Sequence, residues 1–279
     1  VGTNCGLVGQ NACVEVDGAA YWMSENGFFR YGGKLESLPC LVEDHVYDDI
    51  NLASGNQMVS AGLNNLFGEI IWFYPSSTSD VVNKMVAYNY FDSSIKRPVW
   101  TVGTLARTMW RDSAVFGKPH ALEYDASTDT SFDVVGNTEG RTAYYEHETG
   151  TDQNKNGTIT AVLSNISSGD YDITQRTLRG LGGVADFRGD GEHIMKIRRF
   201  VPDFISQTGT TRITLQLKNY PNSTQGSSPL GPFDITTSTT KVDTRARARA
   251  ISLKIENTAV DQSWKLGTFR LDVQPDGRR

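Results

Sequence analysis

The stretch Asp152-Gln153-Asn154-Lys155-Asn156-Gly157 places oxygen-bearing side chains at alternate positions ahead of a glycine. That is the first half of a calcium-binding loop, in which carboxylates and amides replace the ion's water shell. The twelfth position, which should hold a bidentate glutamate, is Leu163, and no helix is predicted on either side. The expected structure is a polar hairpin turn between His147 and Thr160, with no metal. His45, His120, His147 and His193 show no metal-ligand spacing. Glu146-His147-Glu148 sets an imidazole between carboxylates, the arrangement of a general base, although a single histidine at a strand end is more often structural. No Gly-x-Ser-x-Gly elbow, phosphate-binding Walker loop or Ser-x-Asp-x-Gly-x-x-Trp box occurs. Gly180-Leu181-Gly182-Gly183-Val184-Ala185 fits a loose dinucleotide pattern but lacks a βαβ setting, so it reads as a loop. No catalytic, cofactor-binding or metal residue is therefore assigned, and an enzyme is not expected.

One pattern remains unusual: Arg245-Ala246-Arg247-Ala248-Arg249-Ala250-Ile251-Ser252-Leu253-Lys254-Ile255. In a continuous strand Arg245, Arg247 and Arg249 share a face with Ile251, Leu253 and Ile255. Three unpaired guanidinium groups cannot enter a core, so the row must leave it for a polar surface, a partner chain or an anion. We expect these arginines to meet carboxylates of a neighbouring subunit. The phosphate backbone of DNA is a second acceptor, and a solvated strand end with a register-flipping bulge is the plainest outcome.

The chain has 279 residues, a net charge of −5, a pI near 5.4 and a mean hydropathy of −0.39. It is long enough for one large or two medium domains. Its charge provides no global drive toward nucleic acid, and no apolar run approaches the length of a membrane helix. No signal peptide is visible, and the start at Val1 fits a processed product or the tail of a longer chain. Cys5, Cys13 and Cys40 are an odd set without nearby histidine, expected as small buried thiols rather than as disulfides or zinc ligands.

The elements that must carry these residues are strands. Glu69 to Gly103 contains three short β-rich runs, and in the first Ile70, Trp72 and Tyr74 alternate with Ile71 and Phe73. Both faces are apolar, so this strand should be covered on both sides. Such a set describes a β-propeller blade, with the inner part of a sandwich as the alternative. Ala19–Met23 and Phe28–Tyr31 form a second unit around the turn Glu25-Asn26-Gly27, and Val42, Val46 and Ile50 mark a short acidic helix. Strands are expected at Gln57–Ala61, Ala114–Phe116, His120–Tyr124 and Thr142–Glu146, Thr104–Trp110 reads as a fourth strand or a blade-closing segment, and a polar loop covers Ser127–Gly140. The units recur at about 45 residues, a propeller period. Composition shifts near residues 165–170. The fold class is thus all-β: a partial β-propeller over 1–167, followed by an antiparallel β-sandwich-like domain over 168–279. Within the second part, strands are expected at Arg212–Tyr220, Thr244–Asn257 and Trp264–Val273, and a long loop at Asn219–Pro232.

Four segments carry a resemblance. They are Tyr21-Trp22-Met23-Ser24-Glu25-Asn26-Gly27-Phe28-Phe29-Arg30-Tyr31-Gly32-Gly33, Glu69-Ile70-Ile71-Trp72-Phe73-Tyr74-Pro75, Val99-Trp100-Thr101-Val102-Gly103-Thr104-Leu105-Ala106-Arg107-Thr108, and the ending from Trp264 to Arg279. Together they resemble the C-terminal part of the tail nozzle proteins of short-tailed bacteriophages, also called tail tubular protein B or head-to-tail stabilisation proteins. The resemblance implies a β-propeller with added β-domains and a sixfold homo-oligomeric ring. It further implies location in the virion tail, contacts with adaptor, fibre or needle proteins, and transient passage of DNA. It brings no catalytic residues or cofactor. This chain is shorter than such proteins, so three blade-like units imply an incomplete propeller. A propeller module that binds glycans or degrades polysaccharide is the alternative function.

Overall fold

A computed structural model describes residues 4–53, 56–94, 97–113, 116–125, 141–155, 157–173, 193–220 and 228–278. The protein is all-β, with several antiparallel sheets and almost no helix. It divides into two compact units, Val1–Thr149 and Gly150–Arg279. The division precedes the compositional shift because the intervening strand β14 (Asn165–Ser167) pairs with a strand near residue 255.

In the first unit β1 (Cys13–Val16), β2 (Ala19–Ser24), β3 (Gly27–Tyr31) and β4 (Leu35–Leu38) form a four-stranded meander. Its first turn is Asp17-Gly18, both at positive φ (51° and 76°), the backbone twist that a two-residue hairpin requires. The second turn is Glu25-Asn26, since Ser24 pairs with Gly27; the expected Asn-Gly centre is displaced by one residue. Helix α1 (Glu43–Tyr47) buries Val46, and Ile50 follows it into the core. A 3-10 turn spans Asn56–Met58, so the next strand begins later than expected, as β5 (Ser60–Asn64). It joins β6 (Glu69–Tyr74), β7 (Lys84–Asn89) and β8 (Trp100–Gly103) in a second meander.

The two meanders pack through Phe28, Tyr88, Trp72 and Trp100, with Phe28 and Trp100 ring centres 4.7 Å apart. Ile71 and Phe73, on the other face of β6, pack with Val82, Ala87 and Trp110. The expectation that β6 is covered on both sides is met: Ile70 to Tyr74 are all buried. Trp110 lies on β9 (Met109–Arg111), which pairs with β10 (His120–Asp125), itself paired with β11 (Arg141–Glu146). The stretch 104–107 is not a strand. The Ser127–Gly140 loop and Ala114-Val115 lie outside the described residues. Among the described residues no sheet closes on itself.

The second unit opens with the hairpin β12 (Asp152–Lys155) and β13 (Thr158–Ala161). After β14 come β15 (His193–Val201), β16 (Phe204–Thr208), β17 (Thr211–Lys218), β18 (Ser228–Ile235), β19 (Val242–Ala248), β20 (Ala250–Glu256), β21 (Ser263–Leu266) and β22 (Arg270–Arg278). One sheet has the order β14-β20-β17-β18, a second β19-β15-β22, and β16 pairs with β21. Phe200 of β15 shares a core with Ile213 and Leu215 of β17 and Leu253 and Ile255 of β20, which is how the first two sheets meet. Part of the expected Asn219–Pro232 loop is strand β18. Its prolines are tolerated because β18 is an edge strand, where a missing N–H costs no ladder bond.

Candidate functional site

The arginine row is divided between two sheets. Arg249 is a bend, and its N–H donates to Lys218 O at 3.0 Å. Before the bend Ala246 and Ala248 are buried; after it Ile251, Leu253 and Ile255 are. Odd-numbered residues therefore face outward on β19 and inward on β20. The premise of one continuous strand is corrected, because the change of sheet flips the register at Arg249. Arg245 and Arg247 stand on the outer face of the β19-β15-β22 sheet, and Arg249 is half-buried at the corner.

That face carries more charge than the row alone suggests. Lys196 lies opposite Arg247 on one side and Gln274 on the other. A register shift between Ile197 and Arg199 turns both Arg198 and Arg199 away from the buried Ile197 and Phe200. Arg199 Nε faces Asp272 at 3.4 Å and Asp243 at 3.7 Å, and Arg247 Nε faces Asp276 at 2.5 Å. Lys196, Arg198 and Arg245 have no ion-pair partner among the described residues. Sequence reasoning missed Lys196, Arg198 and Arg199; the signal was the alternation of Met195 and Ile197 with basic residues.

The Glu146-His147-Glu148 motif resolves into three separate roles. Glu146 pairs with Lys118 at 3.3 Å, and Glu148 Oε1 accepts from Asn64 Nδ2 at 3.2 Å. His147 turns into the unit, where its Nε2 accepts from Arg107 Nε at 2.9 Å. Arg107 is almost fully buried, donates to Glu123 at 3.1 Å and lies 4.0 Å over the Tyr145 ring. Burial, then the Arg107 charge, pushes the His147 imidazole down to about 4. A ring whose lone pair is occupied by a guanidinium is not available as a base. The cluster instead pins the 104–108 segment to β10 and β11. Sequence reading missed Arg107, whose partners lie 16 and 40 residues away.

The calcium-like stretch is a hairpin. Lys155 pairs with Thr158, the Gly157 N–H donates to Asn154 Oδ1 at 2.9 Å, and Asp152 Oδ2 accepts from the Asp261 N–H at 2.8 Å. Two of the side chains that suggested an ion, Asn154 and Asp152, thus serve as turn and loop acceptors; Asn156 lies outside the described residues. The glycine-rich 180–185 stretch lies outside the described residues. His120 stacks on Tyr144, whose hydroxyl is 2.5 Å from Nδ1. Cys5, Cys13 and Cys40 form no disulfide; Cys13 is exposed rather than buried, and burial raises the Cys40 thiol to about 11. The chain matches no protein-family model and no curated protein.

Proposed function

We propose that this protein is a non-enzymatic structural component of a bacteriophage tail. It forms part of a homo-oligomeric nozzle or tube through which DNA leaves the virion. The observation that carries the reading is the order of the first unit: two meanders and a third antiparallel sheet, stacked in chain order through aromatic side chains. Successive face-to-face sheets are how propeller blades pack, and three of them form a partial propeller. The four segments quoted above point to the same family, and three of them fall in this stack. The test is an antibody raised against the purified chain and applied to tailed particles that carry its gene. Gold label at the tail end supports the reading; label confined to capsids or to free protein overturns it.

A glycan-binding tail module is the second reading. It is favoured by Tyr144 and Phe116, both exposed beside His120, because aromatic faces stack on sugar rings. Retention on immobilised host polysaccharide, lost in Tyr144→Ala, would favour it over the nozzle.

A further inference from the structure

We infer that the outer face of the β19-β15-β22 sheet docks onto the acidic first unit of a second copy of this chain. The inference deepens the assembly part of the proposed function by naming the contacting surface and its partner.

Among the described residues the face carries Lys196, Arg198, Arg199, Arg245 and Arg247, with Arg270 at its end, against the carboxylates Asp243, Asp272 and Asp276; Asp243 also meets Lys241, and Arg270 meets Asp203. Lys196, Arg198 and Arg245 have no ion-pair partner among the described residues, and Lys196 sits directly across from Arg247, an arrangement that costs stability in an isolated sheet. The carboxylates that are present hold Arg199 and Arg247 in place, which lowers the side-chain entropy lost on binding an anionic surface. Charge is also segregated along the chain. Residues 1–149 contain nine Lys/Arg and nineteen Asp/Glu, a net of −10; residues 150–279 contain eighteen and thirteen, a net of +5. Every copy therefore brings the acidic partner that the basic face of another copy requires. Among the described residues the face presents no aromatic side chain, so single-stranded nucleic acid would find no stacking platform there. A contact between two different surfaces of identical chains is heterologous, and it propagates into a ring where the rotation closes.

The test is sedimentation velocity of the full chain at low and high salt. It compares wild type with Lys196→Glu/Arg198→Glu/Arg245→Glu and with a matched reversal on the other sheet, Arg212→Glu/Lys218→Glu/Lys254→Glu. Thermal melts establish that each variant folds, and the glutamine triple at the same three positions replaces the face variant if its melt drops. We expect self-association of the wild type to weaken at least about tenfold between roughly 50 and 500 mM salt. The face variant should be at least about tenfold weaker than the matched control at low salt. Equal association by face variant and control overturns the proposed surface, whatever the outcome of virion labelling. So does the lack of any association at about 100 μM, well above the range of specific contacts. A duplex DNA, followed by fluorescence anisotropy, supplies the last outcome. If the face variant loses duplex binding while self-association is unchanged, the face belongs to nucleic acid and the inference fails.

Discussion

His147 accepts the Arg107 Nε proton only while its own Nε2 is unprotonated. Its ring titrates near 4, against about 6.5 in an unfolded chain. Between those values the unfolded state binds the extra proton, so stability rises with pH across this window and is lost as pH falls through it. The loss should approach about 2 kcal/mol between pH 7.5 and pH 5. Urea midpoints measured at the two pH values check this, and His147→Gln, which keeps an acceptor without titrating, should flatten the difference. Arg107→Ala removes the guanidinium that Glu123, largely shielded from solvent, pairs with and should cost about 3 kcal/mol, while the exposed Arg245→Ala should stay within about 0.5 kcal/mol. A urea titration reporting equal losses for the two would contradict the structural role of the cluster. None of this is readable along the chain: Arg107, Glu123 and His147 carry no shared spacing, and it is the pairing of β9, β10 and β11 that brings them together. The 245–249 arginines were conspicuous because they recur every second residue. A register flip within the row was legible as one outcome, but its form, a passage from one sheet to another at Arg249, was not, because a bend between sheets leaves the alternation of residue types intact.

Strands covered on both sides are legible as continuous apolar runs, and β6 is such a run. Hairpins defined by turn chemistry are legible too: Asp17-Gly18 carries the signal of a two-residue turn as clearly as Asn26-Gly27 does. Glycine inside a strand is less easily read. Gly62 lies in β5 where a Cβ would sit 2.5 Å from the Trp110 ring, whose Nε1 donates to Leu63 O at 2.8 Å. Sequence offers no reason for a glycine there, since the ring that excludes a side chain comes from the third sheet. Gly62→Ala should displace Trp110 and cost about 1–3 kcal/mol, the range for overpacking. Near-UV circular dichroism and a urea midpoint report both effects, and an unchanged Trp signal would show that the contact is dispensable. For the β12–β13 hairpin the expectation is the opposite, an insensitivity. With Asp152 and Asn154 already accepting backbone N–H groups, millimolar calcium should leave the melting temperature unmoved. A rise of several degrees that a chelator reverses would restore the metal reading.

At the scale of the whole molecule, each hydrophobic core among the described residues is built from one unit alone. The Trp72 and Phe73 cores draw on residues of the first unit, and the Phe200 and Met195 cores on residues of the second. Tryptophan is distributed just as unevenly: Trp22, Trp72, Trp100 and Trp110 lie in the first unit and Trp264 in the second. In a Trp264→Phe background, fluorescence therefore reports the first unit only, while far-UV circular dichroism reports both. Leu215 is fully buried in the second unit, and its truncation to alanine should cost about 2–5 kcal/mol there. Because no core residue is shared among the described residues, we expect Leu215→Ala to lower a dichroism transition and to leave the fluorescence midpoint in place. Two transitions that separate on one substitution mean two cooperative units, and a single unfolding free energy for the chain is then undefined. If both midpoints fall together by the same amount, the separation of the cores does not make the units independent. Stability changes measured in one unit would then have to be read for the whole chain.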